Sequence, residues 1–216
     1  MPDRSVGLPE APARPRGVGW RDGRYVALDF ETTGLDYRAD TIVSFGVVPV
    51  DEGRALMRGA VHQLINSHVP PSPRSQTIHE LRPQDLVDAP SLDEARASLR
   101  RALDGRFILA WFAEVEVNFL AGIFGGSPRR WRRRTIDVRN LAMAVAGEPN
   151  GARDRPGYPL TGTARQWNVP VSDPHEALDD ALVTAQLFLV LVGRLPGLPE
   201  PSVLDLLRAG GARRGA

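Results

Sequence analysis

The stretch YVALDFETTGL, residues 25–35, decides the fold that this sequence predicts. It begins as a short apolar run that leads into an acid, which is typical of a buried β-strand. Side chains at positions i and i+2 of a strand point to the same side. Asp29 and Glu31 should therefore converge, while Phe30 points into the opposite layer. Gly34 predicts a tight turn with a positive φ directly after the pair.

The Asp29–Glu31 pair has the chemistry of a metal site. Two neighbouring carboxylates repel each other, and each raises the pKa of the other unless a cation lies between them. Hard oxygen ligands of this kind suit Mg²⁺ or Mn²⁺. The alternative is an ordinary strand end with two solvated acids, and the pair alone does not decide between the two.

A second acid-bearing motif is HEALDDA, residues 175–181. A histidine just before a helix can lie in a flexible entry loop and take a proton from a metal-bound water. Asp180 could reach the same ions, whereas Asp179 lies about 100° away around the helix and is expected to face solvent. The alternative is a capping histidine followed by ordinary acids of a helix surface.

The segments around these motifs complete an α/β fold. An antiparallel meander of three strands, followed by alternating helices and strands, predicts a mixed sheet with helices on both faces. The predicted strands are residues 25–30, 42–50, 55–65, 107–111 and 134–138. A capping box at Ser91 opens the first helix, and Asp173-Pro174 opens the last, with the aspartate as its cap. The predicted helices are residues 92–103, 114–124, 139–146, 160–167 and 174–192.

Length and composition indicate one folded domain between two tails. The 216 residues suit a single core. We predict a flexible N-terminal tail at 1–22, the folded domain at 23–195 and a Pro/Gly/Arg-rich C-terminal tail at 196–216. An apolar patch at 203–207 interrupts the last of these, either as a docking helix or as a partner-binding peptide.

Several classes of protein are excluded by composition. The chain has no cysteine, which excludes disulfides, thiolate catalysis and cysteine-ligated zinc. No apolar run approaches the roughly 20 residues of a membrane span, so we expect no membrane and a cytoplasmic location. The net charge is only +1, and all 27 basic residues are arginine. Attraction for nucleic acid would therefore need a local patch.

The densest basic patch is the run RRWRRR, residues 129–134, called the arginine run below. Basic side chains with an aromatic ring among them could contact phosphates and stack a base. We take Arg130, Arg132 and Arg133 as candidate phosphate contacts. The alternative is a solvated loop between a helix and a strand.

The two acidic motifs together resemble the DEDD 3′→5′ exonucleases that carry a catalytic histidine, a family with a ribonuclease-H-like fold. The likeness is greatest to the proofreading epsilon subunit of bacterial DNA polymerase III and its stand-alone relatives. It runs from about Tyr25 to Val192. Two further segments are similar to those of the family, TIHEL at 77–81 and TID at 135–137.

The resemblance implies a two-metal hydrolysis of nucleic acid from its 3′ end. Asp29, Glu31, Asp180 and a carboxylate from a middle motif would hold two Mg²⁺ or Mn²⁺ ions. His175 would act as the base. Three residues would line the pocket for the terminal nucleotide, as their family counterparts do, namely Thr32, Thr33 and Leu35.

The middle motif departs from the family pattern, which usually reads His-Asn-x-x-Phe-Asp. Here residues 108–120 read ILAWFAEVEVNFL, which places Trp111-Phe112 where His-Asn is expected. The same register places Glu116 at the metal-ligand position instead of aspartate. Glu114 is the other candidate ligand, and an amphipathic helix with two exposed glutamates is the alternative to both.

The leading hypothesis is thus an exonuclease that releases 5′-mononucleotides from single-stranded DNA or RNA. The TTGL ending of residues 32–35 favours the DNA-polymerase branch, because the oligoribonuclease branch typically has methionine after the glutamate. The alternatives are an enzyme that trims RNA 3′ ends, or a weakened domain that binds nucleic acid or a partner without efficient cleavage. A proofreading role would require a polymerase or another protein partner.

Overall fold

A mixed sheet of six strands lies at the centre of the structure, a computed structural model that describes residues 7–148, 158–172 and 175–211. The strands are β1 (Tyr25–Thr32), β2 (Ile42–Asp51), β3 (Arg54–Ala55), β4 (Val61–Leu64), β5 (Phe107–Ala110) and β6 (Thr135–Asp137). They lie in the order β3-β2-β1-β5-β6, and β4 also pairs with β2. β2 pairs antiparallel with its three neighbours, whereas β1, β5 and β6 run parallel. The predicted mixed sheet is therefore confirmed.

Helices cover both faces of this sheet. Within the described residues they are α1 (Pro73–His79), α2 (Leu92–Leu103), α3 (Glu114–Phe124), α4 (Pro128–Arg132), α5 (Val138–Val145), α6 (Leu160–Gln166), α7 (Ala177–Val192) and α8 (Val203–Ala209). Tyr25 and Ala27 of β1 pack in the layer of α5–α8, whereas Val26, Leu28 and Phe30 pack in the layer of α2–α4. The alternation expected of β1 is confirmed. None of the described helices has the length and apolarity of a membrane span.

The predicted third strand, residues 55–65, is wrong in one respect, because the structure has two short strands there. β3 ends at Ala55 and β4 begins at Val61. Gly59, in the connection between them, adopts a φ of 95°, which favours glycine and is incompatible with a continuous strand. Both strands still pair with β2, so the meander remains antiparallel.

The helices agree more closely with the predictions. α2 begins after Ser91, and its capping box is present, since the Ser91 N–H donates to the Glu94 carboxylate at 2.7 Å. α3 occupies the predicted residues 114–124. α7 begins at Ala177, so the predicted start at 174 is wrong: His175 forms a turn and Glu176 is the N-cap residue. Asp173-Pro174 themselves lie outside the described residues.

Parts of both predicted tails pack against the sheet. Trp20 is buried in the same core layer as Val203 and Leu206 of α8, and a β-bridge joins the two segments. Of the two interpretations of residues 203–207, the structure has the docked helix. The packed unit therefore extends beyond the predicted limits of 23 and 195, because apolar side chains on both sides of those limits complete the core.

Candidate active site

The four carboxylates that the sequence indicates as metal ligands line one cleft, called the carboxylate cleft below. It has a volume of about 510 Å³ and opens where the parallel strands β1 and β5 end. This edge is the usual place for a ligand crevice in an open α/β sheet. Asp29 and Glu31 come from β1, Glu116 from α3 and Asp180 from α7. Elements far apart in sequence thus bring four like charges together.

Strand β1 holds its two acids against β2. Asp29 pairs with Gly46, and Glu31 pairs with Ser44. The register shifts between Glu31 and Thr32, so regular pairing is interrupted immediately beside the acids. Both acids lie in the cleft, as the alternation of a strand predicts.

Helix α7 approaches β2 more closely than a side chain would allow. A Cβ atom on Gly46 would lie 2.1 Å from the carbonyl oxygen of Ala177, the first residue of α7. The missing side chain lets the first turn of α7 lie directly on the strand beside Asp29. This contact carries Asp180 into the cleft. A glycine inside a predicted strand is the only sequence signal for such an approach.

His175 occupies the turn just before α7. Its φ is 71°, a left-handed conformation that is uncommon for a residue other than glycine. Its N–H donates to Oδ2 of Asp180 at 3.2 Å, and its exposed side chain lines the cleft. One potential ligand atom each from Glu31, His175 and Asp180 lie within 4.8 Å of one another. The predicted base and two predicted ligands therefore meet at one point.

Helix α3 presents Glu116, and not Glu114, to the cleft. Glu116 is 3% exposed and lines the cleft, whereas Glu114 is exposed and lines a smaller neighbouring cavity. Asp137, which the sequence did not indicate as functional, fixes the start of α3, because its Oδ2 accepts the Ala113 N–H at 3.0 Å. Its Oδ1 also caps α5 by accepting the Asn140 N–H at 3.2 Å. Burial raises the pKa of Asp137 to about 6.

Burial raises the pKa of every acid in the cleft, and repulsion between the acids raises the pKa of Asp29, Glu31 and Glu116 further. For Glu31, burial and then the charges of Asp29 and Asp180 raise the pKa to about 9. Burial and then Asp180 raise the pKa of Asp29 well above its usual range. Burial and then Asp29 do the same to the pKa of Glu116. Burial also raises the pKa of Asp180, although His175 opposes this.

This arrangement fits a divalent cation. Oε2 of Glu116 and Oδ1 of Asp180 are buried without a hydrogen-bond partner in the described part of the chain. A buried carboxylate oxygen without a partner is costly, and a cation supplies both the partner and the opposite charge. Oxygen ligands of this kind suit Mg²⁺ or Mn²⁺.

The residues predicted to line the nucleotide pocket divide into two groups. Thr32 and Leu35 line the cleft, but Thr33 does not, because its fully buried hydroxyl donates to Asp40 at 2.8 Å and fixes the loop after β1. Gly34 does not have the positive φ that we predicted. A Cβ at that position would instead lie 2.4 Å from the Asp40 carboxylate. Glycine is needed there for close approach and not for the turn.

Helix α1, which the sequence patterns did not predict, forms part of the cleft wall. The N–H of Ser72 and the hydroxyl of Ser75 both donate to the carbonyl of Thr33 at 2.9 Å, which ties α1 to the end of β1. A serine cap followed by Pro73 is the signal that could have indicated this helix. The cleft residues that this segment contributes are Ser72, Arg74, Ser75, Ile78 and His79.

Large apolar side chains surround the acids. Leu35 is 73% exposed, Ile78 is 43% exposed and Phe112 is 39% exposed, and all three line the cleft. We call them the apolar rim. Phe112 stands where the family motif would have asparagine, with a φ of 60°, and the guanidinium of Arg139 lies 5.4 Å from its ring centroid.

The arginine run lies outside the cleft. Part of it forms α4 and not only a loop. Arg130 and Arg133 line a separate cavity against residues 8–15, whereas Arg132 lines a small cavity beside Phe112. Trp131 is buried, and its indole N–H donates to a backbone carbonyl, so it is not available to stack a base.

Fold and site together identify the family. The model of the RNase T exonuclease family matches residues 26–188, a span that includes the four carboxylates of the cleft and His175. The chain therefore belongs to this exonuclease family. The resemblance to the DEDD exonucleases, inferred from the two acidic motifs, is confirmed.

Named relatives include both large and small proteins. The PolC-type DNA polymerase III of Thermotoga petrophila is 30% identical over 192 residues, which are 88% of this chain but 13% of the relative. The DNA polymerase III subunit epsilon of Treponema pallidum is 28% identical over 168 residues, which are 78% of this chain and 76% of the relative. The chain thus spans a small part of the first relative and most of the second.

A solved structure agrees in fold. Exonuclease I of E. coli, in complex with a dA16 oligonucleotide, superposes with a TM-score of 0.67 at 18% identity. The match covers 82% of this chain and 42% of that one. The predicted ribonuclease-H-like fold is confirmed.

Proposed function

We propose that this chain is a divalent-metal-dependent 3′→5′ exonuclease that releases 5′-mononucleotides from single-stranded nucleic acid, with DNA favoured over RNA. The observation that carries the proposal is the carboxylate cleft, which brings Asp29, Glu31, Glu116 and Asp180 together. Two of its buried oxygens, on Glu116 and Asp180, have no hydrogen-bond partner in the part of the chain that the structure describes. A domain that only binds nucleic acid or a partner has no need to bury like charges at this cost.

The four carboxylates would hold two ions, either Mg²⁺ or Mn²⁺. When bound, such ions supply activation of water and stabilisation of the negative charge on the reacting phosphate and on the leaving oxygen. Glu116 takes part as the ligand from α3, because its side chain is buried in the cleft while that of Glu114 is exposed. The burial of Glu116 in the cleft supports a catalytically active domain. It argues against the alternative of a weakened binding domain, which was based on the altered middle motif.

His175 serves as the general base in this proposal. Its imidazole lines the cleft, within reach of the carboxylates of Glu31 and Asp180. It takes the proton from the attacking water, and the negative charge of Asp180 stabilises the imidazolium that results. Because the same imidazole could also reach a cation bound by Glu31 and Asp180, the metal affinity of a His175 variant distinguishes a base from a ligand.

The cleft suits the end of a single strand. Base faces are apolar and become available when a strand is unpaired, and stacking or wedging on them tolerates any sequence. The apolar rim of Leu35, Ile78 and Phe112 offers such contacts around the acids, and Thr32 is buried deeper in the cleft. Arg74, which also lines the cleft, would contact a phosphate. DNA is favoured because the relatives bear the names of DNA polymerases and because exonuclease I holds a DNA oligonucleotide.

A polymerase is the proposed protein partner. One relative is a whole DNA polymerase that includes a domain like this chain, and another is named as a subunit of such an enzyme. Proofreading by this chain would then depend on association with a polymerase.

The decisive experiment uses single-stranded DNA and RNA of the same sequence, labelled at the 5′ end. With Mg²⁺ or Mn²⁺, the labelled strand should shorten from its 3′ end, the released products should be 5′-mononucleotides, and a chelator should stop the reaction. Faster digestion of RNA would favour the trimming enzyme. Tight binding of either strand without turnover in both metals would instead support a weakened binding domain.

A further inference from the structure

Three of the four histidines of the chain line one cavity of about 330 Å³ beside the carboxylate cleft, namely His62, His79 and His175. Glu31 and His175 line both spaces, so the cavity adjoins the cleft. His79 has a structural role there. Its Nδ1 accepts the Leu81 N–H at 3.1 Å, so its Nε2 carries the hydrogen that is donated to a backbone carbonyl at 3.3 Å.

His62, on β4, is held between a serine and a glutamate. Its Nδ1 lies 2.9 Å from Oε1 of Glu176, and its Nε2 lies 3.0 Å from the hydroxyl of Ser44. A carboxylate can only accept, so Nδ1 carries a hydrogen. In the neutral ring Nε2 then accepts, and the Ser44 hydroxyl donates. Ser44 is 1% exposed, so its hydroxyl is inaccessible to a substrate and cannot act as a nucleophile.

This hydrogen-bonded chain ends next to the proposed base. Glu176 directly follows His175, whose left-handed backbone persists only if the surrounding structure holds it. On one side the His175 N–H is tied to Asp180, and on the other Ala177 lies against the strand at Gly46. The side chain of Glu176 supplies a third tie, to β4 through His62.

The imidazole of His175 depends on these ties for its position. Among the described residues, no hydrogen bond orients that ring itself. The backbone of the turn from His175 to Ala177 therefore helps to set its place in the cleft, together with the nearby carboxylates of Glu31 and Asp180. A looser turn would leave the ring present but misplaced for proton transfer, and misplacement of about 1 Å is enough to cost a large part of the rate.

We propose that Ser44, His62 and Glu176 form a hydrogen-bonded chain that positions His175 for proton transfer, which makes His62 and Glu176 positioning residues of the active site. The inference rests on the proposed role of His175 as the base. The His62–Glu176 pair is partly exposed, with side-chain exposures of 29% and 42%, so it adds little to global stability. Its effect should appear in the rate and not in the melting temperature.

The test measures steady-state hydrolysis of a single-stranded DNA oligonucleotide with Mn²⁺ by the full chain and its variants. His62→Ala and Glu176→Ala should each lower kcat by up to roughly 100-fold, the cost of misplacing a catalytic group by about 1 Å. KM, metal affinity and melting temperature should stay unchanged. His68→Ala is the matched control, since His68 lines neither the cavity nor the cleft.

Conservative variants of His62 distinguish the loss of its hydrogen bond from the loss of its side-chain volume. The amide nitrogen of an asparagine lies near the place of Nδ1, so His62→Asn can still donate to Glu176 and should regain part of kcat. His62→Gln extends its amide toward Ser44 instead and should not. An asparagine variant as slow as His62→Ala would contradict the proposal.

A double-variant comparison tests whether His62 acts through His175. In a His175→Ala background, His62→Ala should cause no further loss, because the group that it positions is gone. An equal loss in both backgrounds would show that His62 acts independently of His175 and would overturn the proposal.

A readout without catalysis keeps this test separate from the proposed function. In the metal-free protein, the imidazole NMR signals of His175 should shift and broaden in His62→Ala but not in His68→Ala. Unchanged signals would overturn the positioning role. If the wild-type chain hydrolyses nothing while these signals still respond to His62→Ala, the proposed function fails and the hydrogen-bonded chain stands.

Discussion

The carboxylate cleft and the arginine run each concentrate like charges, and they differ in that most of the acids are buried whereas most of the arginines are exposed. The cleft buries acids side by side although burial and repulsion raise the pKa of each, as for Glu31 and Asp29. The arginine run leaves Arg130, Arg132 and Arg133 exposed. An exposed cluster costs little, whereas a buried one is costly unless something compensates it. Because only the buried cluster needs a compensating charge, burial singles out the carboxylate cleft, and not the arginine run, as the place where a ligand is expected to bind.

Arg134, the last residue of the run, sharpens this contrast. It is buried, and burial lowers its pKa to about 10. Its guanidinium donates to the carbonyls of Glu10 at 3.1 Å and Arg106 at 2.7 Å, and also to that of Leu103. Backbone carbonyls thus partner both terminal nitrogens of this buried guanidinium, although its Nε has no hydrogen-bond partner in the described residues. In the cleft, Oε2 of Glu116 has no such partner in the described residues.

The largest effects should follow removal of a cleft charge. Asp29→Asn and Asp180→Asn should each lower the rate of metal-dependent hydrolysis roughly 10³-fold or more, because loss of one charge-stabilising group already costs about 10²–10³-fold. Asp179→Asn removes the same charge next to Asp180 but outside the cleft lining, and it should have little effect. Initial rates on labelled single-stranded DNA measure this. Equal losses of rate in Asp179→Asn and Asp180→Asn would show that position in the cleft does not decide which acid is needed for hydrolysis.

His175→Ala should lower kcat by roughly 10²–10⁴-fold, the usual cost of losing a general base. Substrate affinity should survive, because the apolar rim is untouched. Mn²⁺ affinity, measured by calorimetry, should also survive if His175 is a base. A parallel loss of Mn²⁺ affinity would show that it is a ligand, as its distance to Glu31 and Asp180 permits.

The cleft could be predicted from sequence where local pattern suffices. The alternation of β1 is local, so Asp29 and Glu31 could be placed on one side without knowledge of the rest of the fold. The capping box at Ser91 is equally local. The choice of Glu116 depended on aligning residues 108–120 with the middle motif of the family. Glu116 is buried and Glu114 is exposed, which agrees with that alignment.

Other parts of the site could not be predicted, because they depend on contacts between distant segments. Gly46 matters only because α7 lies on it, and Asp137 only because α3 begins beside it. Neither contact produces a periodic pattern in the amino-acid sequence from which it could be predicted. Trp131 shows the converse, since an aromatic ring among arginines favours base stacking by pattern, yet tertiary packing buries it.

Glu116 should be the sharpest probe of the cleft wall formed by α3. Glu116→Gln should remove most metal-dependent activity, on the order of 10²-fold, because it deletes one of the charges that we propose as metal ligands. Glu114→Gln is the matched control and should change little, since that side chain is exposed. Glu116→Asp should also reduce the rate if the backbone is placed for the longer side chain. Mn²⁺ should support the reaction at least as well as Mg²⁺, which is stricter about octahedral geometry.

Removal of metal should make stability depend on pH in a direction set by the cleft. The pKa of Glu31 rises to about 9 on folding, and the pKa values of Asp29, Glu116 and Asp180 also rise. Between their ordinary values and these raised values the folded state binds more protons, so the metal-free protein should lose stability as pH increases from about 5 to 9. Each kcal/mol lost lowers the melting temperature by about 2–4 °C in a chain of this size.

Mn²⁺ should reverse this trend if it binds in the cleft as proposed, since the cation would replace the protons there. The gain in melting temperature on adding Mn²⁺ should therefore increase with pH, and binding should release protons into a weakly buffered solution. Asp29→Asn should flatten the pH dependence of the metal-free protein. A metal-free melting temperature that rises from pH 5 to 9 would show that the cleft acids are not buried as the structure has them.

The smallest effect should come from the arginine run, and it should differ among its members. Arg132 lies in the small cavity beside Phe112 of the apolar rim, whereas Arg130 and Arg133 lie against residues 8–15. If a strand leaves the cleft across Phe112, Arg132→Gln should lower the slope of log affinity against log salt by about 0.7, the value for one phosphate contact on a single strand. Arg130→Gln and Arg133→Gln should leave the slope unchanged, and none of the three should alter kcat. Fluorescence anisotropy with labelled single-stranded DNA at several salt concentrations measures this. Equal changes of slope in all three variants would mean that the whole arginine run contacts the strand. An unchanged slope in all three would mean that the arginine run is a solvated surface that contacts no phosphate.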